Sequence, residues 1–436
     1  MRAATIASLL LSFGTVLAAP AATDVPSGFV TTDGTSFQLD GQPFAFLGTN
    51  AYWLPLLSND DDVHATFESM AAAGVKVVRT WGFNAINETE LPYAEQVELV
   101  PQYRWRLLTF PQIWNSSGWT LNEGPQGLQR LDYVVSAAAM HDIRLIITFT
   151  NNWVGYGGAD LYVNWLAGAG ATHDVFYTDS TVIASYQQYV QTIVNRYKES
   201  PTVFAWELMN EARCASDLLT ASAACHPGSG TLGLWYQQQS DFVRSLDPYH
   251  MITTGGEGQF YWAQPDTYWY NNTLVTDFNF DGAAGEDFEW TLGLPNIDFG
   301  VYHMYVQTWY PELDYPGSNF SIEDWGLDWI EAHALTAQMV GKPIVIEEFG
   351  VTGLDNKTAI YPTWVQRTLD TDHAGIMYWQ WGQLNLTEGG GNQPFKYTDA
   401  LVNGASPNDG FAVYTNQSAV LDIFTQAAAI QAQRSA

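Results

Sequence analysis

Residues 342–350 read KPIVIEEFG, a short apolar run that ends in two acidic residues and a phenylalanine-glycine pair. A run of this length and composition is typical of a strand buried on both faces of a parallel sheet. Similar runs recur along the chain and are separated by segments with helical periodicity. We predict eight strands, at Phe44 to Gly48, Val75 to Thr80, Arg144 to Phe149, Val203 to Leu208, Met251 to Thr254, Phe299 to Tyr302, Pro343 to Glu348 and Gly375 to Trp379.

This alternation predicts a single (β/α)8 TIM barrel of the α/β class. An open doubly wound sheet is the alternative, but no glycine-rich phosphate loop follows the first strand. Two turn signals, Asp33-Gly34 and Asp40-Gly41, predict a small N-terminal β-hairpin that caps the barrel floor. The predicted helices are Asp62 to Ala73, Leu128 to His141, Val182 to Tyr197, Gly233 to Leu246, Ile322 to Val340 and Tyr361 to Thr371.

Several features predict a secreted, extracellular protein. Residues 1–19 combine a basic start, an apolar run and small residues, as a cleaved signal peptide does, which leaves residues 20–436 as one domain without an internal linker. Cys214 and Cys225, the only cysteines, are expected to form a disulfide in an oxidising compartment. Seven glycosylation sequons begin at Asn87, Asn115, Asn271, Asn319, Asn356, Asn385 and Asn416.

The charge and the aromatic content narrow the class of ligand. With 16 basic and 46 acidic residues, the formal net charge is −30, which argues against nucleic acid and anionic membranes as partners. The chain also holds 18 Trp and 23 Tyr, and flat aromatic rings suit the C–H faces of sugars. No metal cluster, cofactor or protein partner is implied by the sequence.

Polar residues follow the predicted strands at the barrel rim where catalytic groups collect. Glu211 follows the fourth strand and Glu348 ends the seventh, so the fold would bring them face to face. Retaining cleavage of a glycoside needs two carboxyl groups about 5 to 5.5 Å apart. Because successive strand residues point to opposite faces, we expect Glu348 to face the barrel mouth and Glu347 to point outward toward the helices.

Other rim residues are expected to support these carboxyl groups. Arg79 would keep Glu348 ionised, and Tyr305 would hold the same carboxylate by a hydrogen bond. His303 would help to set the protonation of Glu211. The amide of Asn210 could bond a sugar hydroxyl as charge develops at the reacting carbon.

In these residues the sequence resembles glycoside hydrolase family 5, and within it the endo-β-1,4-mannanases. The resemblance covers nearly all of the mature chain and rests on residues 46–54, 78–83, 206–214, 302–305, 342–350 and 375–381. It implies that Glu211 is the acid/base and Glu348 the nucleophile, on a plant-type β-mannan substrate. It also implies sugar contacts from Arg79, Trp81, Trp153, Asn210, Arg213, His303, Tyr305 and Trp379.

The sequence leaves three other functions open. An exo-β-mannosidase or a β-1,4-glucanase could use the same scaffold, and exo action would follow if a loop such as Gly255 to Glu289 blocked one end of the cleft. A barrel that binds glycans without cleaving them is the alternative from a different class. The presence of both Glu211 and Glu348 argues against that alternative.

Overall fold

The computed structural model describes residues 25–89, 109–387 and 404–435, and its centre is a sheet of eight parallel strands. The order around the sheet is β5-β4-β3-β2-β1-β8-β7-β6. This arrangement confirms the predicted (β/α)8 barrel. The strands are β1 Phe46–Asn50, β2 Val75–Trp81, β3 Arg144–Thr148, β4 Val203–Glu207, β5 Met251–Thr253, β6 Gly300–Met304, β7 Ile344–Phe349 and β8 Gly375–Tyr378.

Between β5 and β6 the ring is closed by loop and side-chain contacts in place of a regular ladder. The Asp298 amide donates to the Ile252 carbonyl at 2.9 Å, and the Ile252 amide donates to the Asp298 carboxylate at 2.7 Å. The Thr253 hydroxyl donates to the Phe299 carbonyl at 3.2 Å. These hydrogen bonds pair backbone polar groups at the facing edges of β5 and β6, so the carboxyl ends of all eight strands surround one opening.

The barrel floor is capped by a three-stranded antiparallel sheet, Val30–Asp33, Ser36–Leu39 and Gln42–Phe44. Its Phe37 is fully buried and lies with its ring centroid 5.1 Å from that of Phe204 and 5.2 Å from that of Phe299. The predicted hairpin is therefore present and gains a third strand.

Helices surround the strands, and several begin at side-chain caps. Asn59, Asp179 and Ser321 each accept backbone N–H groups of the first turn that follows. The helices are α1 Asp60–Ala72, α2 Leu128–Met140, α3 Ala159–Leu166, α4 Val175–Thr178, α5 Ser180–Tyr197, α6 Thr231–Leu246, α7 Phe288–Leu292, α8 Val306–Trp309, α9 Ile322–Val340, α10 Leu354–Asp370 and α11 Ser418–Arg434, with 3-10 turns at Leu54–Leu56, Pro227–Ser229 and Pro311–Asp314.

The predicted boundaries lie within two residues of those in the structure, except at the start of α10, and two of the differences have an identifiable cause. The first barrel strand was expected from Phe44, but the chain changes sheets at Ala45, whose N–H donates to Ser435 Oγ at 2.8 Å. The helix expected from Tyr361 begins at Leu354, although Pro362 lies inside it. Its first turns are held by buried Lys357, which donates to two carbonyls of the segment 411–412, a tertiary contact that periodicity does not reveal.

The helix α11 lies outside the predicted set and covers the outside of β8. Its Phe424 stacks on Tyr378 with ring centroids 4.0 Å apart. The alanine-rich sequence of this segment gives a weak amphipathic pattern, so the packing partner decides its structure. Within residues 25–89, 109–387 and 404–435, every helix is too short or too polar to span a bilayer. The predicted signal peptide lies outside the described residues.

Candidate active site

A cleft of about 430 Å³ opens at the carboxyl ends of the barrel strands. Its position agrees with the rule that functional groups of such barrels collect at this rim. Eight of the ten residues predicted from the sequence to be catalytic or to contact sugar are among its lining side chains, and the other two, Arg79 and His303, are treated below. The lining comprises Trp81, Asn151, Trp153, Asn210, Glu211, Arg213, Glu257, Tyr305, Thr308, Trp309, Glu348, Trp379, Asp409 and Phe411.

Two carboxylates face each other across the cleft. One oxygen each of Glu211 and Glu348, with a ring nitrogen of His303, lie within 4.8 Å of one another. Glu211 has a backbone φ of 52°, and its N–H donates to the Gly255 carbonyl at 2.7 Å. A left-handed conformation is costly for a glutamate, and at this strand end it turns the side chain toward the partner carboxylate.

Arg79, on β2, holds the carboxylate of Glu348 from below. The guanidinium is 1% exposed and donates through one terminal nitrogen to Glu348 Oε1 and to Asn50 Oδ1. Its other face forms a two-point pair with Glu207, both N···O distances being 2.7 Å. It also donates to Asn210 Oδ1 at 2.7 Å. Arg79 therefore lies beneath the cleft and outside its lining, contacting carboxylates and amides of the protein.

His303 connects the two sides of the site. Its Nδ1 lies 2.8 Å from Glu211 Oε1, and its Nε2 lies 3.4 Å from Glu347 Oε2 and 3.6 Å from Glu348 Oε1. Burial alone would lower the pKa of His303, but the charge of Glu348 and the hydrogen bonds to Glu211 and Glu347 raise it well above its ordinary value. Like Arg79, this ring is fully buried beneath the cleft.

The two carboxylates have opposite pKa shifts. Burial alone would raise the pKa of Glu211, but hydrogen bonds from His303 and Trp153 hold it down at about 2. Burial raises the pKa of Glu348, and the positive charges of His303 and Arg79 limit that rise. Tyr305 also supports the charged form, because its hydroxyl donates to Glu348 Oε2 at 2.6 Å.

The orientation predicted for Glu347 is wrong. Its carboxylate is completely buried beneath Glu348, where it lies 3.6 Å from Arg79 Nε as well as beside His303. The pairing of β6 with β7 passes from Tyr302↔Ile346 to His303↔Glu348, so Glu347 is an extra residue on its strand. Such a bulge breaks the alternation of side chains on which the prediction rested. Burial raises the pKa of Glu347 to about 7, and its Oε1 has no hydrogen-bond partner among the described residues.

On one side of Glu211, the indole of Trp153 donates to its Oε2 at 2.5 Å. The guanidinium of Arg213 lies 5.2 Å from the centre of the Trp153 ring and forms a two-point pair with Glu257 at 2.5 and 2.6 Å. The residue after Arg213 is Cys214, and its predicted disulfide with Cys225 is present, with a Cα–Cα distance of 5.6 Å.

On the side of Glu348, aromatic rings form a platform. Trp379 stacks on Tyr52 with an angle of 9° between the rings, and its indole N–H donates to Asp409. Trp81 also packs against Tyr52, with ring centroids 4.8 Å apart. A ring held from behind in this way can present its face to a sugar.

Several of the residues that build this site are not among those predicted from the sequence. Glu207 and Tyr52 lie within the motifs that carry the family resemblance, so their position was a usable signal. Glu257 and Asp409 lie in loops, where no periodicity marks them. Only the fold brings Glu257 to Arg213 and Asp409 to Trp379.

The sequence of this chain is similar to those of known glycoside hydrolases. A family model described as GH family 5 beta-mannosidase-like matches residues 27–376. Mannan endo-1,4-beta-mannosidase F of Aspergillus clavatus is 36% identical over 412 residues, covering 92% of this chain and 80% of that protein. Mannan endo-1,4-beta-mannosidase A of Hypocrea jecorina is 35% identical over 422 residues, covering 94% of this chain and 80% of that protein.

A solved structure agrees with these similarities. The endo-1,4-beta-mannanase from Rhizomucor miehei superposes with a TM-score of 0.74 at 31% sequence identity. The alignment covers 92% of this chain and 99% of that one. Fold and sequence therefore point to the same relatives.

Proposed function

The chain belongs to glycoside hydrolase family 5, in its β-mannosidase-like group, and from this we propose that it is a secreted retaining endo-β-1,4-mannanase. Relatives named as mannan endo-1,4-beta-mannosidases support the substrate, which would be the β-1,4-linked backbone of mannan, glucomannan or galactomannan. The disulfide and the signal-like residues 1–19 support secretion. The chemistry needs carboxyl groups and water, without a cofactor.

The observation that carries this proposal is the short separation of Glu211 and Glu348. Their nearest oxygens lie within 4.8 Å. An inverting enzyme needs carboxyl groups about 6.5 to 9.5 Å apart to admit a water between carboxylate and sugar, whereas a retaining enzyme brings them to about 5 to 5.5 Å. The spacing favours direct attack by one carboxylate on the sugar.

The reaction then runs in two steps. In the first, Glu348 attacks the anomeric carbon, the glycosidic C–O bond breaks, and Glu211 gives its proton to the departing oxygen. In the second, Glu211 removes a proton from water, and the resulting nucleophile displaces Glu348 from the anomeric carbon. Two inversions at that carbon give net retention.

The buried groups beneath the cleft set the protonation states of Glu348 and Glu211. Arg79 and Tyr305 bond the ionised form of Glu348, so the attacking oxygen keeps its charge in spite of burial. His303 holds a proton against Glu211, and transfer along that 2.8 Å contact makes Glu211 an acid. Glu347 bonds the opposite nitrogen of the ring and fixes its orientation, as the third member of a catalytic triad does.

Substrate contacts would extend to either side of the scissile bond. Asn210 is fixed by Arg79 and by its own 2.8 Å bond to Asn151, so its amide is held ready for a sugar hydroxyl. Trp379 would stack beneath the sugar being cleaved, and Trp81 packs on the same Tyr52 that supports Trp379. Trp153 and Arg213 would contact the sugar beyond the bond.

Timed product analysis tests the activity. We expect mannohexaose and galactomannan to give mannobiose and mannotriose early, and cellohexaose to be cleaved much more slowly. The variant Glu348→Ala serves as the blank. Mannose as the sole early product would replace the proposal by an exo-mannosidase, and activity confined to cellohexaose would replace it by a glucanase.

Exchanging Glu347 for glutamine should move the alkaline limb of the kcat/KM profile to lower pH. The hydrogen bond to Glu347 raises the pKa of His303, so this carboxyl group strengthens the hold on the proton that His303 shares with Glu211. With a neutral amide in its place, the shared proton leaves at lower pH. The groups around it, Arg79, Glu207 and Glu348, stay in place. The measurement is the pH profile on mannohexaose.

Glu207→Gln is the matched control, because this carboxylate is equally buried but bonds Arg79 and Thr148, and in the described part of the chain it forms no hydrogen bond with His303. A dinitrophenyl mannobioside, whose leaving group needs no proton, separates acid catalysis from structural damage. Glu347→Gln should lose at least about 10-fold more rate on mannohexaose than on the aryl substrate. Equal losses on both substrates, or equal shifts of the limb in the two variants, would contradict the role given to Glu347.

A further inference from the structure

A pair of exposed apolar side chains lies on a hairpin outside the lining of the cleft. The hairpin strands are Thr267–Tyr270 and Thr273–Thr276, and Trp269 pairs across them with Leu274. The two side chains are 49% and 52% exposed. The alternate residue Tyr268 is buried, so the hairpin packs one face on the protein and presents the indole on the other. Adjacent exposed apolar groups of this kind commonly mark a contact surface.

A sequon asparagine borders the indole. The outer edge of the hairpin continues to a neighbouring segment: the Asn271 N–H donates to the Gly317 carbonyl at 3.1 Å, and the Asn319 N–H donates to the Trp269 carbonyl at 3.2 Å. Between these bonds, Tyr270 and Ser318 form an antiparallel bridge. Asn319 is therefore the cross-strand neighbour of Trp269, at a distance that side chains on one sheet face can span.

The side-chain amide of Asn319 is held in one orientation that leaves its nitrogen accessible for modification. Its Oδ1 accepts the backbone N–H of Trp269 at 2.9 Å, which fixes the plane of the side chain. Its Nδ2 makes no hydrogen bond within the described parts of the chain, and the residue is exposed. By contrast, the sequon asparagine of α10, Asn356, uses its Nδ2 to bond the Thr352 carbonyl at 2.9 Å.

From these contacts we propose that Asn319 carries an N-linked glycan whose first sugar packs on the ring of Trp269 and beside Leu274. The donor is a lipid-pyrophosphate oligosaccharide: a bond forms between Nδ2 and C1 of the sugar, the C1–O bond to pyrophosphate breaks, and Nδ2 loses a proton. The C–H face of an N-acetylhexosamine covers the indole, which explains an exposed tryptophan at this position. The proposal rests on secretion as proposed above and is independent of hydrolytic activity.

The test compares full-length protein secreted from a eukaryotic host with unglycosylated protein from a bacterial host. Glycopeptide mass spectrometry should find Asn319 modified. After an endoglycosidase trims the glycans to one sugar, hydrogen exchange in residues 267–276 should be about 5-fold slower than in the unglycosylated protein. In Trp269→Ala that difference should disappear. Because Trp269→Ala is made in both hosts, the effects of glycans at other sequons cancel.

Matched variants show which sequon carries the glycan that slows hydrogen exchange in the hairpin. Asn416→Gln removes an exposed sequon at the start of α11, away from this hairpin, and should leave the 5-fold difference in place. Asn319→Gln should abolish it. An unmodified Asn319, an unchanged difference in Trp269→Ala, or loss of the difference in Asn271→Gln alone would each overturn the assignment. Protection of the unglycosylated hairpin by added mannohexaose would instead identify the patch as a substrate contact and also overturn it.

Discussion

Glu348→Ala is expected to lower kcat on mannohexaose by about 10⁴- to 10⁶-fold, because it removes the carboxylate that is proposed to form the covalent bond to the sugar. The side chain is 3% exposed and already bonded by Arg79 and Tyr305, so its removal leaves a small cavity beside the anomeric carbon. Steady-state rates on mannohexaose and on dinitrophenyl mannobioside measure the loss, which should be large on both substrates.

Azide should identify the function of each carboxylate. In Glu348→Ala, azide enters the cavity and attacks dinitrophenyl mannobioside directly, which gives the α-mannosyl azide by one inversion. In Glu211→Ala, the covalent intermediate still forms on Glu348, and azide replaces water in the second step to give the β-mannosyl azide. The stereochemistry of the two azides, read by nuclear magnetic resonance, assigns nucleophile and acid/base separately.

Glu211→Ala is also the control for magnitude. Its loss on mannohexaose should be about 10²- to 10⁴-fold, as for removal of a general acid, and should be much smaller on the aryl substrate. If Glu348→Ala kept activity, or if it gave the β-azide, the proposed nucleophile would be wrong. If both variants lost the same rate on both substrates, a structural effect would explain the data better than the two assigned roles.

Arg79→Met should lower the free energy of unfolding by about 3 to 5 kcal/mol at pH 7, because it leaves buried carboxylates without their cation. Glu207 is completely buried and has both oxygens on this guanidinium, and Glu348 loses one of its donors. Urea unfolding measures the change. The acid limb of kcat/KM should also move to higher pH, since loss of Arg79 raises the pKa of Glu348 further and Glu348 must be ionised to attack.

The stability deficit should depend on pH with a definite sign. A folded Glu348 with a raised pKa binds a proton that the unfolded chain has already released above about pH 4.5. Stability therefore falls as pH rises through this window, and the deficit of Arg79→Met should be larger at pH 7 than at pH 5. Arg196→Met removes an ion pair with Asp132 that lies near the surface and should cost about 0 to 1 kcal/mol. If Arg79→Met lost no more stability than Arg196→Met, the role of Arg79 in holding Glu207 and Glu348 would be contradicted.

The barrel strands and the two carboxylates proposed to react could be predicted because they depend on local pattern. A strand buried on both faces is a short apolar run, and each run is followed by the residues that the rim exposes. This information is contained in segments such as residues 342–350, so Glu348 and Glu211 could be chosen before any coordinates were known. The disulfide of Cys214 and Cys225 was equally accessible, since the chain has no other cysteines.

The fine structure of the site could not be predicted, because it depends on contacts between residues distant in sequence. Glu347 was expected to point outward by simple alternation, but a bulge between β6 and β7 turns it inward onto His303. Glu257 and Asp409 have no local signal, and they matter because loops carry them to Arg213 and Trp379.

The sequence by itself therefore determined the class of fold and the family and indicated the proposed catalytic pair, because strand periodicity and strand-end residues are short-range properties of the chain. The tertiary structure decided the closure between β5 and β6, the direction of Glu347, and the charge environment in which Glu211 and Glu348 have opposite pKa shifts. The physical reason is that burial and pairing of charges depend on every strand that reaches the same mouth, and only the folded barrel brings those strands together.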